Sequence, residues 1–400
     1  MLKVRTLFSG IGSPESALKN IGIDYELVDF CEIDKYAVKS YCAVHGVSES
    51  KNLGDISKVW GRDLPYADLL VWGFPCTDIS IAGKGKGMVE GVTRSGLYYE
   101  GYRVLKETKP KYSIIENVKN LTGKKFKAEF EQILEDMKGI GYNNYYKVLN
   151  AKDYGIPQNR ERVFIVSIRA DVDTHKFEFP TGFDNGLRLK DFLEAEVDEK
   201  FYLGYKTLEL IKRHNVKIDK INGITQTAID ASYYKGIGVR CNKVRCCFEI
   251  ETPCIAASRG RNIQNPSDRT PGNKVEQRLE INKNGTTNTL TTVQKDNYVL
   301  ENKRTKIIGS TQRNAYIGDG QIPMIEKTDY RLRKLTPKEC WRLMGFSDEE
   351  FQRAADAGVS NSQLYKQAGN SIYTGCLSGI FTKLLQADIQ ANIEEEKTIG

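Results

Sequence analysis

Cys76 is the residue of this sequence whose position most favours chemistry. It follows an apolar run, residues 67–74, that predicts a short buried strand ending at Pro75. In open parallel α/β sheets, ligands bind at the carboxyl ends of the strands. A lone cysteine is more often a small buried hydrophobe. The position nevertheless predicts a functional thiol, and the chemistry that a thiol offers is nucleophilic attack.

Glu116 and Asn117 stand at the end of another predicted strand, residues 111–118. That strand is apolar through Ile114 and Ile115 and then abruptly polar. Polar groups thus again follow an apolar run at a carboxyl end, as they do after residues 67–74. We therefore expect Glu116 at the ligand-binding edge of the sheet.

Two glycines follow the first predicted strand, residues 4–8, in a turn that leads into a helix. Gly10 and Gly12 allow the backbone to approach a ligand closely, although many α/β turns contain such a pair without a ligand. Glu32 follows the strand predicted over residues 25–31. It lies about 20 residues beyond the glycines, where nucleotide-binding sheets place a carboxylate for ribose hydroxyls. Together the two signals favour a nucleotide-like ligand.

The segment of residues 81–95 combines glycine with positive charge. Four glycines are interspersed with three cationic side chains, Lys84, Lys86 and Arg94. This composition is typical of a mobile lid that closes over a polyanion. A solvated loop without a gating role is the alternative.

The elements that must position these residues alternate between strand and helix over roughly the first 170 residues, which predicts a mainly parallel α/β sheet. Helical spacing marks residues 126–140 and 371–393. From about residues 180–187 to about residue 321 the chain is rich in Asn, Thr, Gly and Arg, with short β-like runs and no helix periodicity. We therefore predict a first domain over residues 1–186, a smaller, mainly β or irregular domain over 187–329, and a segment over 330–400 that returns to the first domain.

Composition limits the class of protein and its partners. The 400-residue chain carries a net charge of +7. Residues 217–329 hold 18 Lys and Arg against 12 Asp and Glu, an excess of six, which favours a nucleic acid partner. No apolar run approaches the roughly 20 residues of a membrane span, and no secretory signal is evident, so we expect a cytoplasmic protein.

The nine cysteines are scattered along the chain, which favours reduced thiols over a disulfide framework. Four of them form a cluster, Cys241, Cys246, Cys247 and Cys254. Its spacing matches neither common zinc pattern and no histidine lies within it, so we expect no metal.

Six ordered motifs together resemble the cytosine-C5 DNA methyltransferase family of bacterial or phage type. They are FSGIG at residues 8–12, GFPC at 73–76 with Ser80, ENV at 116–118, QNRER at 158–162, RKLTPKECWRLMGF at 333–346 and YKQAGNS at 365–371. The chain departs from the family at Ser13, where a glycine is usual, and at Thr77, Asp78 and Ile79. None of these positions carries a group that the chemistry needs.

The resemblance implies a Rossmann-like fold that uses S-adenosylmethionine and methylates C5 of a cytosine flipped out of duplex DNA, leaving S-adenosylhomocysteine. It makes Cys76 the nucleophile that adds to cytosine C6. Glu116 would protonate N3 if burial keeps it partly protonated, with Asn117 helping to position it. Arg162 would contact cytosine O2. Water is expected to remove the C5 proton.

The resemblance also implies two sets of binding residues. Cofactor-binding residues would be Phe8, Gly10, Gly12, Glu32, Asp55, Pro75, Asn370 and Ser371. DNA-binding residues would be Ser80, Lys84, Lys86, Arg94 and Arg160, although Arg160 also fits a structural role. Residues 187–329 would be the target-recognition domain. The expected partner is double-stranded DNA, a cognate restriction endonuclease is a candidate partner, and the chain is expected to act as a monomer.

Three other functions compete with this interpretation. A transfer RNA methyltransferase of the same fold is one, but a long basic insertion favours sequence readout on duplex DNA. A catalytically silent DNA-binding regulator is the second, and intact Cys76, Glu116 and Arg162 argue against it. A nicotinamide dehydrogenase would share the glycine turn but would have no use for Pro75 and Cys76.

Overall fold

The computed structural model of the protein describes residues 1–76, 78–79, 86–201, 254–262, 275–281, 287–288, 297–302 and 330–399. The contacts within the chain divide it into two compact units. The first contains Met1–Leu187 and Pro337–Gly400, and the second contains Arg188–Asn288 and Lys295–Thr336. Among the described residues, no helix is both long and apolar enough to cross a membrane.

A six-stranded sheet forms the centre of the first unit. Its strands are β1 (Leu2–Leu7), β2 (Tyr25–Cys31), β3 (Leu69–Trp72), β4 (Tyr112–Val118), β5 (Tyr142–Asn150) and β7 (Glu161–Arg169). The two-residue strand β6 (Gln158–Asn159) is not part of this sheet. The order is β2-β1-β3-β4-β7-β5. Neighbours from β2 to β4 are parallel, and β7 alone is antiparallel to both of its neighbours. The predicted mainly parallel α/β sheet is confirmed.

The described residues of the chain include eight α-helices. They are α1 (Ser13–Asn20), α2 (Lys35–His45), α3 (Tyr98–Thr108), α4 (Lys127–Gly139), α5 (Pro337–Arg342), α6 (Asp348–Asp356), α7 (Asn361–Asn370) and α8 (Thr374–Ile399). Their ends follow local capping rules. The Asp34 side chain accepts from Tyr36 N at the start of α2, and Gly46 ends that helix with φ 67°. Ser347 and Glu350 form a capping box at the start of α6.

The C-terminal helices of the first unit pack against its N-terminal helices. Ser16 Oγ donates to Glu350 Oε1 at 2.6 Å, and Ser378 Oγ donates to the Ala17 carbonyl at 3.0 Å. Ser40 Oγ donates to Gln367 Oε1 at 3.0 Å. These buried and partly buried bonds join residues more than 300 positions apart in the sequence, so the last helices belong to the same core as the glycine turn.

The second unit contains a four-stranded antiparallel sheet. Its strands are β8 (Cys254–Asn262), β9 (Val275–Ile281), β11 (Asn297–Asn302) and β12 (Tyr330–Lys334), in the order β12-β11-β8-β9, and Thr287–Asn288 forms the short β10. The predicted mainly β character thus holds for the described part of this unit. β12 pairs with β11, and the contacts within the chain place the end of this unit at Thr336.

Candidate active site

Cys76 lies four residues beyond the end of β3, at the carboxyl edge of the parallel strands. Its side chain is partly buried and forms no disulfide. Gly73 stands between the strand and the cysteine, where a Cβ would lie 3.1 Å from the Glu116 carbonyl oxygen and 3.4 Å from its Oε2. The glycine therefore allows the end of β4, with its carboxylate, to approach the segment that carries the thiol.

Glu116 and Arg162 form an ion pair across two neighbouring antiparallel strands. Arg162 on β7 lies opposite Val118 on β4, so Glu116 is its diagonal neighbour on the same face of the sheet. Arg162 Nε lies 3.0 Å from Glu116 Oε1, and the two side chains are 17% and 12% exposed. The buried Oε1 accepts no well-aligned hydrogen bond from the described residues.

The surroundings raise the pKa of both the Glu116 carboxyl and the Cys76 thiol. Burial raises the pKa of Glu116, and the positive charges of Arg162 and Arg160 oppose that shift. Burial also raises the pKa of Cys76, and the nearby Glu116 carboxylate adds to the increase, while Arg162 and Arg160 lower it. The site thus holds a potential proton donor beside a thiol whose ionisation depends on the two arginines.

Asn117 is buried and holds the cysteine segment through its backbone. Its Nδ2 donates to the Phe74 carbonyl at 3.1 Å, and its Oδ1 accepts from Val118 N at 2.8 Å. The side chain therefore joins the end of β4 to the residues just before Cys76. The sequence predicts that Asn117 helps to position Glu116, whereas its hydrogen bonds hold the backbone just before Cys76.

Arg160 is only 3% exposed and joins the QNRER motif to the YKQAGNS motif. Its Nη2 donates to the Ser371 carbonyl at 2.6 Å and to the Gly369 carbonyl at 3.3 Å. Nε and Nη1 are buried without a hydrogen-bond partner among the described residues. This burial favours the structural role of Arg160 and argues against its predicted contact with DNA, since it presents no donor at the surface.

The glycine turn after β1 adopts a left-handed backbone at three positions, with φ of 54° at Phe8, 58° at Gly10 and 82° at Gly12. Open space surrounds the position of a Cβ on Gly10, whereas a Cβ on Gly12 would lie 2.0 Å from His45 Nε2. Gly10 therefore leaves room for a ligand, and Gly12 leaves room for His45.

Glu32 is joined to this turn by hydrogen bonds to its carboxylate. Gly10 N donates to Oε2 at 2.9 Å, and Asp34 N donates to Oε1 at 2.8 Å. Burial raises the pKa of Glu32, and these backbone donors oppose the shift. Asn52 also bonds to the Glu32 backbone in both directions at 3.0 Å. Each carboxylate oxygen retains a further lone pair, so Glu32 can still accept from a ligand.

Asp55 accepts from Ser57 N at 3.1 Å and from Ser57 Oγ at 2.8 Å, as the cap of a short 3-10 turn. These bonds lower its pKa. The neighbouring Gly54 has φ 74° and open space where a Cβ would lie. The Asp55 segment therefore leaves room for a ligand, as Gly10 does.

One cleft brings several of the predicted residues together. Its walls come from the glycine turn, the end of β3, the end of β4 and the loop after α7, and they include Phe8, Gly10, Glu116, Asn370 and Ser371. Glu116 thus reaches the same cleft as the predicted cofactor residues. Gly12, Glu32, Asp55 and Pro75 are not among its lining residues.

The predicted DNA-binding residues of the segment 81–95 have different placements. Lys86 and Arg94 are exposed, whereas Ser80 and Lys84 lie outside the described residues. From Gly87 onwards the backbone is tied down, because Gly87 N donates to the Asp78 carbonyl at 3.2 Å and Met88 is buried. Residues 87–95 are therefore more ordered than their composition predicts.

Two residues that support the cofactor side were missed by sequence reasoning. Ser9 Oγ accepts from Cys31 N at 3.1 Å, which joins the glycine turn to the end of β2, and Asn52 holds Glu32 as described above. A polar residue inside a glycine turn was a usable signal for Ser9. No pattern marked Asn52, because its partner lies 20 residues away in the chain.

Among the described residues, no group of three or more His, Cys, Asp or Glu side chains is arranged to hold a metal. Of the cysteine cluster, Cys254 begins β8, and Cys241, Cys246 and Cys247 lie outside the described residues.

The sequence matches the profile of a family described as C-5 cytosine-specific DNA methylase over residues 2–386. It is 35% identical to the orphan methyltransferase M.SPRI of Bacillus phage SPR, and the match covers 98% of this chain and 99% of that protein. It is 30% identical to the type II methyltransferase M2.ScrFI of Lactococcus lactis subsp. cremoris, covering 97% and 100%.

Solved structures with the same fold include the methyltransferase EhMeth of Entamoeba histolytica. That structure has a TM-score of 0.62 and 17% identity, over 96% of this chain and 98% of the other. The Dnmt2 methyltransferase of S. pombe has a TM-score of 0.56 and 19% identity, over 96% and 99%. At this identity the likeness establishes the fold alone.

Proposed function

This chain belongs to the C-5 cytosine-specific DNA methylase family, and we propose that Cys76, Glu116 and Arg162 are the residues with which it methylates DNA. It is a DNA (cytosine-5-)-methyltransferase. The observation that carries the assignment of residues is the Glu116–Arg162 pair. Glu116 reaches the cofactor-side cleft, and the charges of both partners shift the pKa of Cys76.

The chemistry follows from these three groups. A bond forms between Cys76 Sγ and cytosine C6 while the electrons of the C5–C6 double bond move towards N3, where Glu116 donates a proton. Arg162 stabilises the developing charge by donating to O2. S-adenosylmethionine, when bound, supplies the methyl group. The methyl group forms its new bond to C5. The C5 proton then leaves to water, the Sγ–C6 bond breaks with its electrons on sulfur, and N3 returns its proton to Glu116.

The family uses S-adenosylmethionine, and the residues of the cleft, together with Glu32 and the Asp55 segment outside its lining, fit this cofactor. Open space at Gly10 and Gly54 accommodates a ligand against the backbone. Glu32 can accept from ribose hydroxyls, and Asp55 can accept from the adenine amino group. The exposed Asn370 and the buried Ser371 close the cleft from the C-terminal segment. The product is S-adenosylhomocysteine, and the proposed reaction uses no metal.

Residues 187–329 are proposed to carry target recognition, within catalytic segments at 1–186 and 330–400. A local excess of positive charge supports contacts with the DNA backbone, and sequence is then read at base edges. Transferring this segment to a related methyltransferase should transfer the target sequence. A folded chimera that keeps the target of its host would contradict the assignment.

The partners are proposed at two levels. We propose that the substrate is duplex DNA and that a monomer of the enzyme flips a single cytosine out of the helix. We also propose that the enzyme acts in the cytoplasm. The similar proteins include both orphan and type II methyltransferases by name. A restriction endonuclease of the same target is the proposed partner, and it would be detected as a nuclease that cleaves unmethylated DNA only.

Bisulfite sequencing tests the function directly. Genomic DNA from a bacterial host without cytosine methylation, after expression of this protein, should show 5-methylcytosine at one recurring sequence. The Cys76→Ala protein, expressed at the same level, should leave the DNA unmethylated. Transfer RNA from the same cells should gain no 5-methylcytosine. The appearance of 5-methylcytosine in the RNA alone would favour the competing function, an RNA methyltransferase.

A further inference from the structure

Ser95 is fully buried and bridges the two sides of the segment that contains Cys76. Its Oγ donates to the Pro75 carbonyl at 2.8 Å and accepts from Asp78 N at 3.2 Å. One hydroxyl group therefore contacts the backbone on both sides of the nucleophile. Both hydrogen-bonding functions of the hydroxyl, donor and acceptor, are used by these contacts.

Asp78 completes the connection from the other direction. Its Oδ2 accepts from Ser95 N at 3.3 Å, and its carbonyl accepts from Gly87 N at 3.2 Å. The side chain is 7% exposed. Ser95 and Asp78 thus form a reciprocal pair, in which the side chain of each accepts from the backbone N–H of the other. Asp78 stands where this chain departs from the usual sequence of the family.

Two further side chains hold the ends of the same segment. Asn117 Nδ2 donates to the Phe74 carbonyl at 3.1 Å, and Asn120 Nδ2 donates to the Ile79 carbonyl at 2.5 Å. These bonds fix residues 74 and 79 to the carboxyl end of β4. Of these side chains, that of Ser95 contacts the residues nearest to Cys76. They are Pro75, one position before it, and Asp78, two positions after it.

A nucleophile needs a fixed position because misplacement by about 1 Å can reduce a rate by about 100-fold. We propose that Ser95 is a positioning residue for Cys76, and that its hydroxyl, together with the Asp78 carboxylate, fixes the backbone from which the thiol projects. This inference rests on the proposed function of Cys76. It assigns Ser95 and Asp78 no contact with the cofactor or the base.

The experiment follows formation of the bond between Cys76 and DNA in a single turnover. The probe is a fragment of phage λ DNA amplified with 5-fluoro-dCTP in place of dCTP, incubated with excess enzyme and S-adenosylmethionine. Fluorine at C5 cannot leave as a proton does, so the adduct persists and can be counted on a denaturing gel. Every cytosine carries the label, and the target sequence need not be known.

The rate constant of adduct formation should fall by about 10- to 100-fold in Ser95→Ala, while the final fraction of adduct and the Kd for S-adenosylmethionine stay as in the wild type. A merely structural role would lower the fraction of active protein and leave the rate constant unchanged. The matched control is Thr122→Val, since Thr122 Oγ1 donates to the Lys119 carbonyl at 2.8 Å, a hydrogen bond made to neither Pro75 nor Asp78.

If circular dichroism shows that Ser95→Ala is unfolded, Asp78→Ala is the second variant. It should also lower the rate constant of adduct formation. A rate constant within twofold of the wild type in the folded variant would overturn the proposal alone. Absence of an adduct with the wild-type protein would instead overturn the assignment of Cys76, and this proposal with it.

Discussion

Arg162 Nε lies 3.0 Å from Glu116 Oε1 across the antiparallel pair of β4 and β7. The two partners shift the pKa of the Cys76 thiol in opposite directions. The Glu116 carboxylate raises this pKa, and the Arg162 guanidinium lowers it. The ion pair is therefore more than a structural contact. Removing either partner alone should change the reactivity of the thiol in a direction that the charges determine.

Cys76→Ala should abolish methyl transfer and leave DNA binding largely intact. The substitution removes the nucleophile, whereas the positive charge that attracts the DNA backbone is unchanged. Incorporation of labelled methyl groups and a gel-shift assay measure the two properties separately. A folded Cys76→Ala protein with a tenth of the wild-type turnover would contradict the assignment.

Glu116→Gln should separate the two roles of the carboxyl group. Methyl transfer should fall about 100-fold or more, because a general acid contributes about 10²- to 10⁴-fold. Alkylation of Cys76 by iodoacetamide at pH 8 should become faster, since loss of the negative charge lowers the pKa of the thiol and raises the thiolate fraction. Glu161→Gln is the matched control, because that carboxylate pairs with Lys119 at the surface. Slower alkylation in Glu116→Gln would contradict the electrostatic argument.

Arg162→Gln should have the opposite effect on alkylation. Loss of the positive charge raises the pKa of Cys76 further, so the alkylation rate at pH 8 should fall and its rise with pH should move to higher values. The control is Arg169→Gln at the other end of β7, where the arginine pairs with Asp171. An unchanged pH profile in Arg162→Gln would show that this charge does not reach the thiol.

Much of this site was predictable because the carboxyl ends of parallel strands share one edge of the sheet. Cys76 and Glu116 could be assigned to that edge from two apolar runs, and the strand predicted at residues 25–31 has the observed ends, Tyr25–Cys31. The mainly parallel fold follows from the same alternation of strands and helices.

Contacts between distant residues were not predictable. Arg160 is bound by carbonyls 209 and 211 positions away, and no local pattern distinguishes it from Arg162. The composition of residues 81–95 predicts mobility, but the hydrogen bonds that Asp78 accepts from Gly87 N and Ser95 N, and the burial of Met88, order the part from Gly87 onwards. The domain boundary near residue 330 was placed by the return of helical periodicity, and such a pattern carries no information on the pairing of β12 with β11.

Gly12→Ala should weaken cofactor binding and lower stability more than Gly22→Ala. Both glycines have left-handed φ values, 82° and 69°, so each substitution strains the backbone by about 1–2 kcal/mol. Only Gly12 also carries a steric conflict, because its Cβ would lie 2.0 Å from His45 Nε2, and overpacking adds about 1–3 kcal/mol. Thermal unfolding and calorimetric titration with S-adenosylhomocysteine measure both effects. Equal Kd values for S-adenosylhomocysteine in the two variants would contradict a role of Gly12 in cofactor binding.

Lys86→Gln should weaken DNA binding equally for all sequences and reduce its dependence on salt. Lys86 is exposed and lies next to the anchored Gly87, within the segment that follows the nucleophile. A lysine that neutralises one phosphate contributes about 0.9 to the slope of log K against log salt concentration, and a contact with phosphate carries no sequence information. Binding of a phage λ DNA fragment over a range of salt concentrations gives the slope. The matched control is Lys138→Gln, which should leave the slope unchanged. Lys138 lies in the last turn of α4, at the end of that helix farther from β4 in the chain. If Lys86→Gln and Lys138→Gln give the same slope as the wild type, Lys86 does not contact the phosphate backbone, and the positive charge after the nucleophile has no direct part in holding DNA.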